Sequence, residues 1–186
     1  MSTFLRRYKE NVLLQKRCKV IVDIIMIVIF AYSLVLFTCD RTMIHGNSMK
    51  PTIENENTIL INRMAYALSS PSRFDIVAFK KRGIQSNKVY VKRIIGMPGD
   101  TIQIKDKQIY VNGELLSDDK YNDNILTPGI AAQELTLKEN EYFLMGDNRN
   151  NSEDSRFANI GLVKKEDIIG IVWMIVAPFE NIKIIT

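Results

Sequence analysis

The sequence predicts a mainly β domain, a β-barrel or folded sheet, carried behind one N-terminal membrane-spanning helix. Three observations predict it. Val20 to Cys39 is a run of 20 residues with a single charge, Asp23, long enough as a helix to cross a hydrocarbon core of about 30 Å. Beyond residue 40, short stretches of alternating or β-branched residues are split by turn signals. Helical periodicity is nearly absent there, apart from possible turns near 62–69 and 164–168.

The chain divides accordingly into a basic tail (1–19), an anchor (20–39) and an extracytoplasmic domain (40–186). Six basic residues (Arg6, Arg7, Lys9, Lys16, Arg17 and Lys19) precede the apolar run, and only Asp40 and Arg41 follow it directly. Positive charge stays on the cytoplasmic side, so the tail is expected inside and residues 40–186 outside. Asp23 lies at the tail end of the run, within reach of the interface or of Lys19. The run ends Leu36-Phe37-Thr38-Cys39-Asp40, too bulky for the small residues that a cleaved export signal or a lipoprotein site needs. An uncleaved anchor is the expectation.

Strands are expected at 58–62, 75–80, 88–95, 101–105, 108–112, 141–145 and 168–176. Asp106-Lys107 suits a tight hairpin turn, and Asn112-Gly113 starts another. Many short strands at this spacing suit a barrel or folded sheet. Residues 117–135 are polar, contain Pro128 and Gly129, and read as an insertion loop or a long hairpin tip.

Charge and composition exclude several functions. The net charge of +4 resides in the tail: residues 24–186 carry 19 basic and 19 acidic side chains. A nucleic-acid binder needs its surplus on the folded face, so nucleic acid is not an expected partner. Cys18 and Cys39 bracket the apolar run, about 30 Å apart along a helix, too far for a disulfide. No cysteine follows residue 39 and His45 is the single histidine, so no metal site and no cofactor is expected.

Three stretches carry candidate chemistry. "HGNSMKPTI" (45–53) places Ser48 in a turn just after the apolar run. "YVKRIIGMPGD" (90–100) places Lys92 and Arg93 inside a strand pattern, so one of the two faces inward if the strand has a buried face. "MGDNRNNSEDSR" (145–156) is dense in Asp, Asn, Ser and Arg. It fits a solvated loop or a buried polar network equally well. A serine nucleophile needs a base, and a lysine serves when burial lowers its pKa from about 10.4. With His45 only three residues from Ser48, a Ser–Lys dyad is the hydrolytic pairing this chain easily allows.

Together and in this order, "SMKPT" (48–52), "YVKRIIGMPGD" and "GDNRNNSEDSR" resemble the three signature boxes of type I signal peptidases, membrane-anchored serine enzymes. The small size and single anchor are similar to the Gram-positive branch. The resemblance implies a β-rich catalytic core of coiled sheets and a reaction without metal or cofactor. Signal peptides would be removed from exported preproteins after small residues of the Ala-x-Ala type. Ser48 would be the nucleophile and Lys92 its general base. Ser152 would hydrogen-bond the lysine amine, with Asp154, Arg156, Asp147, Arg149, Arg93 and Asp75 in the supporting polar network. Met49, Tyr90 and Ile44 would wall a shallow pocket for the substrate's small residues. The family's usual glycine before Asp75 is Phe74 here, and Gly46 stands where some relatives carry a serine that helps bind the oxyanion. The oxyanion would then rest on the Ser48 backbone N–H. Phospholipid is the expected second partner, touching an apolar flank of Met43, Ile44, Met49 and Ile53. The alternative reading is an inactive, membrane-tethered β-domain that acts as a binding module.

Overall fold

A computed structural model describes residues 12–81, 88–122 and 124–185, without the side chains of Val35, Leu36 and Leu68. The first 11 residues of the basic tail lie outside the described residues. The chain forms two compact units that divide between Thr38 and Cys39.

The first unit contains helix α1, Val12–Thr38. Its described part already covers the eight residues before the apolar run, where Val12 to Lys19 hold no glycine or proline to stop a helix. With two side chains of the run left aside, no helix among the described residues is long and apolar enough to cross a membrane. The helix ends at Thr38, and Cys39 opens a strand.

The second unit is mainly β. Its principal sheet contains β1 (Cys39–Met43), β2 (Thr58–Asn62), β3 (Ile76–Lys80), β4 (Val89–Gly96), β9 (Glu141–Met145), β10 (Val163–Lys164), β11 (Ile168–Ala177) and β12 (Lys183–Ile184). The strand order is β1-β2-β11-β3-β4-β9-β10, with β12 paired to β11. A smaller sheet runs β7-β6-β5-β8, from β5 (Thr101–Lys105), β6 (Gln108–Val111), β7 (Glu114–Leu115) and β8 (Leu135–Thr136). All seven expected strands are present. The unexpected ones, β1, β7, β8, β10 and β12, are edge strands or only two residues long, too short or too polar for an alternating pattern to show.

Local chemistry explains the connections. Asp106 and Lys107 have φ of 50° and 64°, the left-handed pair that a two-residue hairpin demands. The β11 register shifts against both β2 and β3, as does β4 against β9. Such irregularities bend a sheet and let it coil. Buried side chains gather in three clusters, around Ile59–Ile175, Ile102–Phe143 and Val77–Leu144.

Two features of this fold bear on the site. β4 is central and buried on both faces, so Lys92 and Arg93 are both inside, where one of the two was expected. Phe74 takes the glycine-like turn itself, at φ 73°. Left-handed backbone costs a residue with a side chain about 1–2 kcal/mol. Its ring packs on the second cluster and its backbone bonds to Ile94, which offsets that cost.

Candidate active site

The turn that carries Ser48 is fastened from both ends. Gly46, at φ 109°, donates its N–H to Asn55 Oδ1 at 2.8 Å. Downstream, Ile53 N–H donates to the Met49 carbonyl at 2.9 Å, which places Met49 and Ile53 on one side of a helical turn. Both side chains are buried in the first cluster, at 2% and 0% exposure. The expected lipid-touching flank is therefore corrected: Met49 and Ile53 are core residues, Ile44 is half-buried, and of that set Met43 is exposed. Fixing the two flanking anchors leaves Ser48, between Gly46 and Met49, facing a cleft.

β4 brings the lysine to it. Lys92 is 4% exposed, and its Nζ lies 2.8 Å from Ser48 Oγ and 3.2 Å from the Val91 carbonyl. Burial lowers the Lys92 pKa to about 8. Asp154, then Glu153 and Asp147, pull it back upward through their charge, and Lys88 pushes it down. Desolvation wins because water is removed from the ammonium while no carboxylate touches it. A cleft of about 500 Å³ opens over the pair, with Ile44, Met49 and Tyr90 among its walls. Among the described residues, no hydrogen bond uses the Ser48 backbone N–H.

The third stretch is a buried network of arginine–aspartate pairs. Arg93 grips Asp147 with Nε and Nη2, each at 2.7 Å, and gives Nη1 to the Phe74 carbonyl. Arg156, 1% exposed, grips Asp154 at 2.8 and 2.9 Å and also donates to the carbonyls of Thr127 and Arg149. Arg149 pairs with Asp119 at 2.6 Å and donates to the Gly146 and Tyr121 carbonyls. Planar forks on carboxylates give fixed geometry as well as charge balance. Asn148 completes the clamp, donating its backbone N–H to the Ser48 carbonyl at 3.0 Å and its side chain to the Asn47 carbonyl at 3.0 Å.

Two expected roles differ. Ser152 makes no bond to Lys92: its Oγ is buried without a hydrogen-bond partner among the described residues. It occupies the space that a Cβ on Gly146 would need. Asp75 stands apart from the ion pairs, because its carboxylate caps its own turn, accepting from Tyr66 Oη and Ser72 N–H, each at 2.8 Å.

Residues absent from the sequence reading are Asp119, Tyr121, Thr52 and Asn148. Three of them signal weakly, as polar residues in polar stretches. Thr52 lies inside the "SMKPT" box and donates to Asp147. Gly146 is a further one. A Cβ there would collide with Ser152 Oγ and the Ser48 carbonyl oxygen. Gly146→Ala is therefore expected to displace the Ser48 turn and cut turnover about a hundredfold, since ångström-scale misplacement of reacting groups has that effect. Steady-state kinetics on folded variant protein checks this.

Comparison with known proteins agrees in one direction. A family model described as "Signal peptidase, peptidase S26" matches residues 17–177. Signal peptidase I P of Bacillus subtilis subsp. natto is 33% identical over 174 residues, covering 88% of this chain and 92% of that protein. Signal peptidase I of Bacillus amyloliquefaciens is 35% identical over 169 residues, covering 86% and 88%. A solved signal peptidase I from Enterococcus faecalis V583 is 37% identical, with a TM-score of 0.44, covering 54% of this chain and 95% of that one. The matched span contains the Ser48 turn, β4 and the arginine–aspartate network, and the chain belongs to the signal peptidase family, peptidase S26.

Proposed function

We propose that this chain removes N-terminal signal peptides from exported preproteins, with Ser48 as nucleophile and Lys92 as general base, cleaving after small residues of the Ala-x-Ala type. The observation that carries this reading is the 2.8 Å contact between Ser48 Oγ and a lysine whose amine is held largely out of water. In the neutral amine the contact runs the other way, and the Ser48 hydroxyl donates to the nitrogen lone pair. Oγ then attacks the scissile carbonyl as its proton passes to Nζ. The developing oxyanion is drawn to the Ser48 N–H. Collapse returns the proton to the leaving amine and forms an ester on Ser48. Water, deprotonated by the same lysine, hydrolyses that ester and frees the enzyme. Asp147, Arg93, Asp154, Arg156, Arg149 and Ser152 hold this geometry without touching the reacting atoms. Ile44, Met49 and Tyr90 supply apolar walls that suit small side chains at positions −1 and −3.

Tethering through residues 20–39 is part of the proposal and rests on the sequence run and its basic flank. The side chains described from Val20 to Leu34 are exposed along α1, which suits lipid. It predicts that full-length protein floats with phospholipid vesicles, and that removing residues 1–38 weakens this; equal flotation would overturn the anchor.

The activity is tested with a secretory precursor bearing Ala at −3 and −1, in detergent. Cleavage after −1 that disappears in folded Ser48→Ala is expected. The pH dependence follows from the lowered lysine pKa of about 8. Below that value the amine is protonated and cannot accept the serine proton, so kcat/KM should fall about tenfold per pH unit. Above it the rate should level off. A profile flat from pH 5 to 9 would sink the lysine base.

A further inference from the structure

Residues 117–135 read as a polar insertion, yet they pack against the network behind the dyad. Ile125 and Ala131 are buried in the second cluster. Asp119, also buried, accepts the Tyr121 N–H at 3.0 Å and pairs with Arg149. Tyr121 stands at the centre. Its ring centroid has the Arg93 guanidinium at 5.7 Å and that of Arg149 at 5.9 Å, distances at which the π-face attracts a cation. Its hydroxyl lies 2.8 Å from Thr52 Oγ1, and Thr52 in turn donates to Asp147 Oδ2.

Proton inventory sets the direction of this chain. A threonine hydroxyl has one proton and a carboxylate can only accept. The Thr52 proton goes to Asp147, so the Tyr121 O–H donates to Thr52. Arg93, the residue after Lys92, donates to both oxygens of Asp147, including the Oδ2 that Thr52 uses. Thr52 is four residues after Ser48 in the same fastened turn. One continuous path, Tyr121 to Thr52 to Asp147 to Arg93, therefore links the nucleophile's turn to the strand that carries the base.

We propose that Tyr121 is a positioning residue for the reaction: through its hydroxyl on Thr52 it holds the Ser48 turn in register with Lys92, and the 117–135 segment is the outer clamp that supplies it. This rests on the Ser48–Lys92 reading above. Tyr121 does not line the cleft, so its loss should act on turnover and not on substrate affinity.

The test uses the full-length protein in detergent with the same precursor, and compares Tyr121→Phe, Thr52→Val, Thr52→Ser and the Tyr121→Phe/Thr52→Val double variant. Tyr121→Phe keeps the ring beside the two arginines and removes only the hydroxyl. The expected result is kcat lowered about tenfold with KM within twofold of the parent and an essentially unchanged melting temperature. Thr52→Ser should restore what Thr52→Val loses. The double variant should be no slower than Thr52→Val alone, because both break one path. Parental kcat in folded Tyr121→Phe overturns the proposal, and so do a rise in KM with kcat unchanged or losses that multiply in the double variant. If Tyr121→Phe does not fold, the Thr52→Val and Thr52→Ser pair decides: no rescue by serine overturns it. Ser48→Ala and Lys92→Ala run alongside. Their retained activity would overturn the dyad and the clamp together, whereas their inactivity with a normal Tyr121→Phe overturns the clamp alone.

Discussion

Lys92→Met should lower kcat/KM by about a thousandfold or more while making the protein more stable at neutral pH. Methionine keeps the apolar stem and removes the amine, so the loss reports the base and not a cavity. A positioned general base contributes about 10²–10⁴ in rate, and in the proposed reaction the same group also returns the proton to the leaving amine. The stability effect has the opposite sign. The Lys92 pKa is lowered to about 8 by burial, so the folded protein binds that proton less tightly than the unfolded chain does. The resulting penalty develops as pH falls from about 10.5 to 8 and is complete below, on the order of 3 kcal/mol. Wild type should therefore lie below Lys92→Met in melting temperature at pH 6–7, and the gap should close above pH 10. Calorimetry across that range, beside precursor cleavage, reads both effects. A less stable, equally active variant would remove the lysine from the mechanism.

Arg156→Met should give the largest stability loss of any single change in the network. Arg156 is among the largest fully buried side chains, and it satisfies both Asp154 oxygens and two backbone carbonyls. Without it Asp154, at 0% exposure, keeps only backbone N–H partners, including Gly146 at 3.1 Å. Breaking one side of a buried pair costs about 3–5 kcal/mol. For a domain of roughly this size that is about 10 °C in melting temperature. The activity that survives should also shift. Asp154 is the strongest of the charges that raise the Lys92 pKa, and removing its cation leaves that pull uncompensated. The inflection in the pH–rate profile should move above 8. A wild-type melting temperature, or an inflection that moves downward, would contradict this account.

These two residues also separate what could be read from sequence. Strand positions, the hairpin at Asp106-Lys107 and the three boxes that carry the family resemblance were legible in the chain, because they depend on local signals. Alternation places side chains on faces, two-residue turns demand particular backbone, and a nucleophile box is contiguous. Legible too was the restriction to a serine–lysine pair in a chain with one histidine. Helix α1 was foreseen from its apolar run, but its extension through Val12 to Lys19 was not, since the propensity of polar residues extends a helix past its hydrophobic stretch.

Tertiary structure alone decided the partnerships. Arg93 reaches Asp147 across 54 residues and Arg149 reaches the Tyr121 carbonyl across 28. Nothing local distinguishes Asp119 from the exposed acids around it, or Asp75, which caps a turn, from Asp147, which holds an arginine. The Ser152 hydroxyl, expected on the lysine, is placed against Gly146 by the path of its loop. Whether Lys92 would be buried and its proton loosened also waited on the fold. Burial on both faces belongs to the position of β4 between β3 and β9, and no window of sequence along β4 records which strands will lie beside it.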